Sequence, residues 1–506
     1  MTATPRPWWE TRWFVAALIL LSAVPLLYPP IPPLVDLFGH LGRYRVQLDL
    51  GSSPWLRQYY DFQWAPIGNL GVDLLIVPMN KLFGLELGVK LIVLAIPPLM
   101  TAGLLWVARE VHHRLPPTAM FALPFAYSYP FMFGFVNYAL SMALALLAFG
   151  LWLRLGRLDK TAIRAVLFVP ISFAVFFAHT FGWGMLGLLA YSAEAVRQHD
   201  RGIGWLKAGG KAAAHALVMA LPVLVIVHWR GDVTGPLGRG WFQPGMKFEA
   251  LVSVLRDRWL AFDAASLAVV VGMILYAVVS KRLTLSRNLA FSALVLLAVF
   301  IVMPAMVFGS AYADMRLAPF MFAIAALAIR FRGQTDLKLA RRLAMFGLVF
   351  LLVRTAGTTL SMALAAGDQR AKLAALDHVP RGARVATLSG QRCGLDWALA
   401  RNSHLGAMVM VRREGFSNDQ WVIQGTNLLT LRYRAPGRFA QDPSQIVGPT
   451  GCRSTRWWID RALTAWPRDT FDYIWLIDPP PFDQRLVGDL RPVWRGPGSV
   501  LYQVKP

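Results

Sequence analysis

Long apolar segments alternate with short polar gaps over most of the chain, from Trp13 to Met362. An α-helix needs about 20 mainly apolar residues to cross a bilayer, and the longer segments approach that length. Placing one helix on each segment predicts about eleven membrane spans. They cover residues 13–28, 87–107, 118–127, 138–153, 163–179, 183–196, 212–228, 261–279, 289–308, 317–329 and 343–362. The pattern therefore predicts a polytopic α-helical membrane protein.

One further apolar segment, Ile67–Phe83, decides the orientation of the later spans. If it crosses the membrane, the basic residues that follow residue 108 and every later basic loop lie outside, against the positive-inside rule. Asp73 in its middle and Pro78 near its end favour a segment that lies on the outer surface or enters without crossing. We therefore expect a long outer loop over residues 29–86.

The first span sets the side on which each loop lies. Arg6 and Arg12 precede it, and Tyr28 is followed by prolines rather than by a small-residue cleavage pattern. These features predict an uncleaved signal anchor that starts in the cytoplasm. Asp36 and the segment after the last span then share the extracytoplasmic side of the inner membrane.

The composition changes at Gly367, where long apolar runs stop and charged and turn residues begin. Strand-like segments follow at residues 384–388, 472–477 and 500–504. We expect a transmembrane domain over residues 1–366 and a small extracytoplasmic α/β domain over residues 367–506, which is long enough for its own core. Both cysteines, Cys393 and Cys452, fall in the second domain. We expect Cys393 and Cys452 to form a disulfide, because an exported domain reaches an oxidising compartment. The alternative is two unrelated reduced thiols.

Composition excludes a soluble globular protein. Hydrophobic residues make up 56% of the chain and charged residues 16%, and the mean hydropathy is +0.46. Soluble domains average about a quarter charged residues. The net charge of +23 does not indicate nucleic acid, because Lys and Arg fall in the short gaps between apolar segments, as topology signals do. The expected environment is the lipid bilayer.

The most informative stretch for chemistry runs from Val35 to Arg45, just after the first span. If it is helical, Asp36, His40 and Arg43 follow one another at spacings of four and three and share one face. A carboxylate, an imidazole and a guanidinium together can handle both protons and phosphate. The alternative is an interfacial amphipathic helix whose polar face meets water and headgroups.

Other polar residues are expected at the same outer level or within a span. Arg354 lies inside the last span, at a cost of a few kcal/mol, and either lines a cavity or pairs with a carboxylate. Arg316 follows Asp314 at the start of a late span, and either binds phosphate or anchors the interface. Asn137 and His179 lie at span ends, where polar residues are common.

The sequence motifs and their order resemble the GT-C membrane glycosyltransferases. Residues 36–43 (DLFGHLGR) are similar to that superfamily's first-loop motif, and residues 314–319 (DMRLAP) to the acidic-x-Arg segment that opens a late span. The resemblance implies a GT-C-like fold and transfer of a sugar from a polyprenyl-phosphate donor to a lipid, glycan or protein acceptor of the cell envelope. A transporter or flippase of lipid-linked saccharides is the alternative. Transporters often have two related halves, and this sequence shows no such halves.

The resemblance also implies roles for the residues named above. Asp36 is the expected catalytic base. The donor phosphate would be bound by Arg316, Arg354 and Arg43, with His40, Asp314, His179 and Asn137 in support. Many members have two adjacent acids where this chain has Asp36 followed by Leu37. A single carboxylate is a poor sole ligand for Mg²⁺, so we assign no metal ligands and leave the cofactor open; a divalent metal is compatible but not implied.

Overall fold

The computed structural model describes residues 6–230, 238–307, 310–394, 396–423 and 427–504. The chain divides into two compact units. The first comprises Met1–Tyr28, Pro66–Val72 and Ile92–Leu360, and the second comprises Pro29–Ala65, Asp73–Leu91 and Ser361–Pro506. The second unit thus takes in most of the predicted first outer loop as well as the C-terminal segment. The domain boundary at residue 367 and the extracytoplasmic placement stay predictions.

The first unit is mainly helical, as its apolar segments predict. Its α-helices are Arg12–Leu21, Val24–Leu27, Tyr129–Phe133, Val136–Arg157, Thr161–Ala178, Thr180–Asp200, Trp205–Ala216, Val223–Arg230, Pro244–Val252, Leu260–Val279, Arg287–Val302 and Ala313–Leu327. Short 3-10 helices cover Trp8–Glu10, Ala119–Tyr127 and Leu217–Met219. Three further helices contain residues of both units: Gly71–Phe83, Leu85–His112 and Leu337–Leu373.

Short antiparallel strands complete the first unit. Gly238–Arg239, Met306–Val307 and Ser310–Ala311 form one small sheet, and Leu283–Leu285 pairs with Ile329–Phe331.

Within the described residues, five helices are long and apolar enough to cross a membrane, judged by length and composition. They are Leu85–His112, Val136–Arg157, Thr161–Ala178, Leu260–Val279 and Leu337–His378. Arg12–Leu21 and Arg287–Val302 are shorter apolar helices. Several apolar helices in a mostly helical unit confirm the predicted class of multi-pass helical membrane protein. The count of eleven spans stays a prediction.

The predicted span over residues 118–127 has a different form in the structure. Its residues form the nine-residue 3-10 helix Ala119–Tyr127, every residue of which is buried. At about 2 Å of rise per residue this helix is roughly 18 Å long, which is shorter than the ~30 Å hydrocarbon layer. The segment is thus a short buried 3-10 helix in place of the expected long α-helix, and its place among the spans stays a prediction.

Two other predicted spans are interrupted next to proline. The segment 212–228 is broken after the 3-10 turn Leu217–Met219, and a new helix begins at Val223, directly after Pro222. The segment 289–308 loses its helix after Val302, before Pro304, and Phe308 lies outside the described residues. Proline has no N–H to donate and restricts the residue before it to extended conformations.

The second unit contains a seven-stranded mixed sheet. Six strands follow the order Trp457–Trp458, Ile446–Gly448, Arg384–Gly390, Tyr473–Ile477, Ser499–Gln503 and Arg491–Gly496. The seventh, Phe416–Ser417, pairs in parallel with Arg384–Gly390. Tyr473–Ile477 is buried along its whole length and pairs in parallel with Arg384–Gly390 and antiparallel with Ser499–Gln503. All three predicted strands are confirmed.

Helices and a short ribbon surround this sheet. The helices are Leu37–Asp49, Pro54–Tyr59, Met408–Arg413 and Ile459–Ala465, with 3-10 turns at Ala374–His378, Leu405–Ala407, Gly437–Phe439, Arg468–Thr470 and Gln484–Val487. Tyr60–Phe62 pairs antiparallel with Leu429–Leu431. First-loop and C-terminal residues share one core, in which Val46 and Tyr60 lie with Ile474. Cys393 and Cys452 form a disulfide with Cα atoms 5.6 Å apart, so the predicted pairing is confirmed.

Candidate functional site

The helix Leu37–Asp49 begins directly after Asp36, so the condition under which Asp36, His40 and Arg43 share one face is met. Two glycines allow this helix to pack closely on the C-terminal segment of the same unit. A Cβ atom on Gly39 would lie 2.5 Å from the Trp421 ring, and one on Gly42 would lie 2.8 Å from Gln420 Nε2. Gln420 Nε2 also donates a hydrogen bond of 3.2 Å to the Gly39 carbonyl. The start of the helix is therefore held in a fixed position.

Asp36 is buried at the helix start and lies beside a histidine from far along the chain. Its Oδ1 is 3.8 Å from His404 Nε2, and the same Nε2 is 3.9 Å from Asp442 Oδ1. His404 Nδ1 lies 3.2 Å from the Asp419 carbonyl, which can only accept a hydrogen bond. The ring proton is therefore on Nδ1, and Nε2 faces the two carboxylates as a proton acceptor. An imidazole in this position can pass a proton between them.

Burial controls the charge state of this cluster. It lowers the pKa of His404, against the opposing effect of the Asp442 carboxylate, so the ring is predominantly neutral at neutral pH. Burial likewise raises the pKa of Asp419 to about 8. A neutral imidazole beside Asp36 can accept a proton, which a charged one cannot.

His40 follows Asp36 by one turn of the helix. Its ring centroid is 5.2 Å from that of Trp421 and 6.2 Å from that of Tyr44. Burial, with the positive charge of Arg43 and the neighbouring His404, holds the pKa of His40 well below its usual value. Its buried Nδ1 has no hydrogen-bond partner among the described residues. His40 is thus a neutral ring with hydrogen-bonding capacity left over.

Arg43 has a carboxylate partner that the spacing pattern did not indicate. Its Nη1 lies 2.7 Å from Asp73 Oδ1 and its Nη2 lies 3.1 Å from Asp73 Oδ2, and both side chains are buried. This two-point pairing neutralises the guanidinium. We therefore leave Arg43 out of the proposed phosphate-binding residues.

In the first unit, three of the predicted residues lie around Tyr138: Asn137, His179 and Arg316. The Tyr138 hydroxyl donates a hydrogen bond to the Arg316 carbonyl, and its ring centroid lies 5.8 Å from that of His179. The Arg316 guanidinium carbon is 4.5 Å from the centroid of Phe135 and 5.2 Å from that of Phe181. Cation–π contacts of this kind position a guanidinium on ring faces.

The side chains of Asn137 and His179 form hydrogen bonds with backbone groups near this cluster. Asn137 Oδ1 accepts a hydrogen bond of 2.7 Å from the Val72 N–H, and its Nδ2 donates one of 2.9 Å to the Asn69 carbonyl. His179 Nδ1 accepts a hydrogen bond of 3.1 Å from the Phe181 N–H and so caps the helix Thr180–Asp200. Both side chains hold the segments that carry the cluster.

Asp314, in the first turn of the helix Ala313–Leu327, pairs with a lysine that the sequence did not single out. Lys247 Nζ lies 3.2 Å from Asp314 Oδ2. The same nitrogen donates hydrogen bonds to the carbonyls of Phe300, at 2.7 Å, and Met303, at 2.5 Å. Lys247 therefore connects the C-terminal end of the helix Arg287–Val302 to the first turn of the helix that carries Arg316.

Arg354 is one half of a buried ion pair. Its Nη1 bonds the Asp263 carboxylate, and its Nη2 donates a hydrogen bond of 2.6 Å to the Leu255 carbonyl. The guanidinium carbon lies 5.1 Å from the centroid of the Phe262 ring. The structure therefore favours the structural alternative for this residue, and we leave Arg354 out of the proposed phosphate site. Among the residues that the structure describes, no group of three or more His, Cys, Asp and Glu side chains could hold a metal ion.

Comparison with known proteins identifies the fold. No protein-family model and no curated protein sequence matches the chain. The crystal structure of ArnT from Cupriavidus metallidurans in the apo state is similar over 97% of both chains, with a TM-score of 0.51 and 12% identity. The structure of the same protein bound to undecaprenyl phosphate has a TM-score of 0.49, with 11% identity and 97% of each chain covered. The chain thus has an ArnT-like fold, which confirms the GT-C-like membrane fold expected from its motifs.

Proposed function

We propose that this protein is an inverting glycosyltransferase of the inner membrane that acts at the outer face. It moves a hexosyl or pentosyl group from a polyprenyl-phosphate donor to a cell-envelope glycolipid, polysaccharide or protein. The observation that carries the proposal is the buried carboxylate of Asp36, held at a helix start with the neutral His404 ring beside it. The ArnT-like fold supports a membrane glycosyltransferase with a lipid-linked donor.

In the proposed reaction Asp36 is the general base. Its carboxylate takes the proton from the acceptor's hydroxyl or amine as that atom bonds to the anomeric carbon of the donor sugar. The bond between that carbon and the phosphate oxygen breaks, and its electron pair leaves on the polyprenyl phosphate. The configuration at the anomeric carbon is inverted because the acceptor attacks one face of that carbon while the phosphate leaves from the opposite face. The proton can then pass to His404 Nε2 and towards Asp442, which is partly exposed.

The leaving phosphate needs a cation. Arg43 and Arg354 each bond a buried carboxylate, and exchanging that bond for phosphate would take the counter-charge of the arginine away from a desolvated carboxylate. Arg316 is the candidate that we retain. A guanidinium that lies on aromatic faces, as it does on Phe135 and Phe181, can at the same time donate its N–H groups to phosphate oxygens in its own plane.

A donor-consumption assay tests the proposal. The purified protein would be incubated with a panel of synthetic polyprenyl-phosphate hexoses and pentoses and an envelope extract as acceptor, and released polyprenyl phosphate would be measured by mass spectrometry. Loss of a general base typically costs on the order of 10²–10⁴ in rate, so Asp36→Asn should lose most turnover while donor binding is kept. Asp49→Asn is the matched control, since this partly exposed acid ends the same helix and pairs with Arg45.

Two outcomes would contradict the proposal. One is an Asp36→Asn variant with the turnover of the unmodified protein. The other is movement of intact donor across vesicles with no release of polyprenyl phosphate, which is the result that a flippase would give.

A further inference from the structure

A cavity in the first unit lies away from the residues discussed above. It has a volume of about 190 Å³, and Trp152, Thr161, Arg164, Ala214 and His215 are in its wall. Trp152 lies about four turns along the helix Val136–Arg157 from Asn137, or roughly 22 Å at the usual helical rise. The cavity is thus at the opposite end of that helix from Tyr138 and the Arg316 cluster.

The polar groups in the wall of this cavity are mainly hydrogen-bond donors. Arg164 Nη2 can only donate, so its contact of 3.2 Å with His215 Nδ1 makes Nδ1 the acceptor and leaves the ring proton on Nε2, which lies 3.9 Å from Glu194 Oε1. The Trp152 Nε1–H is buried and has no hydrogen-bond partner among the described residues. The Arg164 guanidinium carbon lies 3.9 Å from the Trp152 ring centroid. No acidic residue is among those that line the cavity.

The charges behind the wall are predominantly positive. Arg164 Nη1 bonds Glu194 Oε2 at 2.9 Å, and Arg197 lies 3.3 Å from Glu194 Oε1 and 3.1 Å from Asp159 Oδ1. Arg201 pairs with the same Asp159 oxygen, so three guanidinium groups share two carboxylates. Lys211 is exposed and lies one turn before His215 on the helix Trp205–Ala216. An anion entering the cavity would therefore meet donors at close range and a positive field around it.

The surface next to the cavity is apolar. Val166, on the same helix as Arg164, is 73% exposed, and Leu217, which follows Ala214 and His215 by one turn or less, is 66% exposed. A ligand that fits both surroundings has an anionic head and hydrocarbon chains. The predicted topology places the basic residues of this end of the helices in the cytoplasmic leaflet, where anionic lipids accumulate.

We propose that this cavity binds the phosphate of an anionic glycerophospholipid. The phosphate oxygens accept a hydrogen bond from Trp152 Nε1 and lie in the positive field of Arg164, Arg197 and Lys211, while Arg164 keeps its bond to Glu194. The acyl chains lie against Val166 and Leu217. The site holds a lipid of the bilayer and is separate from the proposed sugar transfer. Its presence or absence can therefore be tested without any assay of enzymatic activity.

Binding would be measured on the delipidated, purified full-length protein by native mass spectrometry and by the midpoint of thermal unfolding. Phosphatidylglycerol, phosphatidylcholine and inorganic phosphate would be titrated separately. Phosphatidylglycerol should bind saturably and raise the midpoint, phosphatidylcholine should do so at least tenfold more weakly, and inorganic phosphate should not displace the lipid. Equal effects of the two lipids would overturn the proposal, and binding of inorganic phosphate in place of lipid would overturn the lipid assignment.

Two variants test the location of the site. Ala214→Phe fills the cavity from an exposed position, and Ala213→Phe is its matched control, since Ala213 is exposed on the same helix and does not line the cavity. Ala214→Phe should weaken phosphatidylglycerol binding roughly tenfold or more, whereas Ala213→Phe should not. Lys211→Glu changes only an exposed charge and should also weaken binding. Unchanged binding in Lys211→Glu together with Ala214→Phe would place the lipid elsewhere.

Discussion

Removing one member of the buried Arg43–Asp73 pair should destabilise the protein more than replacing both. The two side chains are 3% and 0% exposed and meet at 2.7 and 3.1 Å. Loss of one partner leaves the other as an uncompensated buried charge, which typically costs about 3–5 kcal/mol. Replacing a buried pair by apolar residues of similar volume is often close to neutral. We therefore expect Arg43→Met and Asp73→Leu each to lose about 4 kcal/mol, and the double variant to recover most of that loss.

The measurement is the free energy of unfolding in mixed micelles titrated with sodium dodecyl sulfate, made on both single variants and on the double variant. Arg432→Met is the control, because Arg432 pairs with Asp61 on the surface of the same unit and such pairs contribute roughly 0–1 kcal/mol. The donor-consumption assay on the double variant then separates the two roles of Arg43. A structural role predicts turnover and donor KM close to those of the unmodified protein.

Two results would refute this reasoning. Single variants that lose no more than Arg432→Met would mean that the pair is not desolvated as the structure indicates. A double variant that is stable but has a donor KM raised a hundredfold would mean that Arg43 binds the donor phosphate, as the spacing of residues 36–43 predicts.

Two further predictions concern the second unit. Burial raises the pKa of Asp419 from 3.8 to about 8, so the folded state holds a proton that the unfolded state releases, and stability from this group falls as pH rises towards 8. At about 1.4 kcal/mol per pKa unit the loss from about pH 5 to about pH 8 approaches 4 kcal/mol, and Asp419→Asn should remove this part of the pH dependence of unfolding. The Cys393–Cys452 disulfide closes a loop with a sequence separation of 59. Cys452→Ser should therefore lower the free energy of unfolding by about 4 kcal/mol. A reducing agent that destabilises the variant as much as the unmodified protein would contradict this.

Local patterns predicted the elements correctly where short-range interactions determine them. The buried strand Tyr473–Ile477 follows from a continuous apolar run, and the helix from Leu37 meets the condition under which its polar residues share one face. The departures from a continuous α-helix at Ala119–Tyr127 and Pro222 have a physical cause as well. Hydropathy measures the transfer of side chains from water, but the length and continuity of a span depend on the backbone hydrogen bonds that proline and 3-10 geometry change.

The partners of the charged residues could not be predicted in this way. Asp73 is 30 residues from Arg43, and Asp263 is 91 from Arg354. His404, which lies beside Asp36, comes from a segment without any motif that would single it out. Each pairing depends on packing between distant segments. The sequence indicates that a buried charge needs a partner, since an unpaired one is costly, but it does not indicate which residue that partner is.

The three arginines proposed for phosphate binding can be ranked by what a phosphate would have to displace. Arg43 and Arg354 each bond an aspartate that is almost completely buried. A phosphate that took their N–H groups would remove the arginine from that desolvated aspartate, at a cost of several kcal/mol, which would offset much of the binding free energy gained. The contacts of Arg316 with Phe135 and Phe181 involve ring faces, which a phosphate in the guanidinium plane does not displace. Arg316 is therefore the arginine that we retain for the donor phosphate, and the substitution of choice for testing donor affinity.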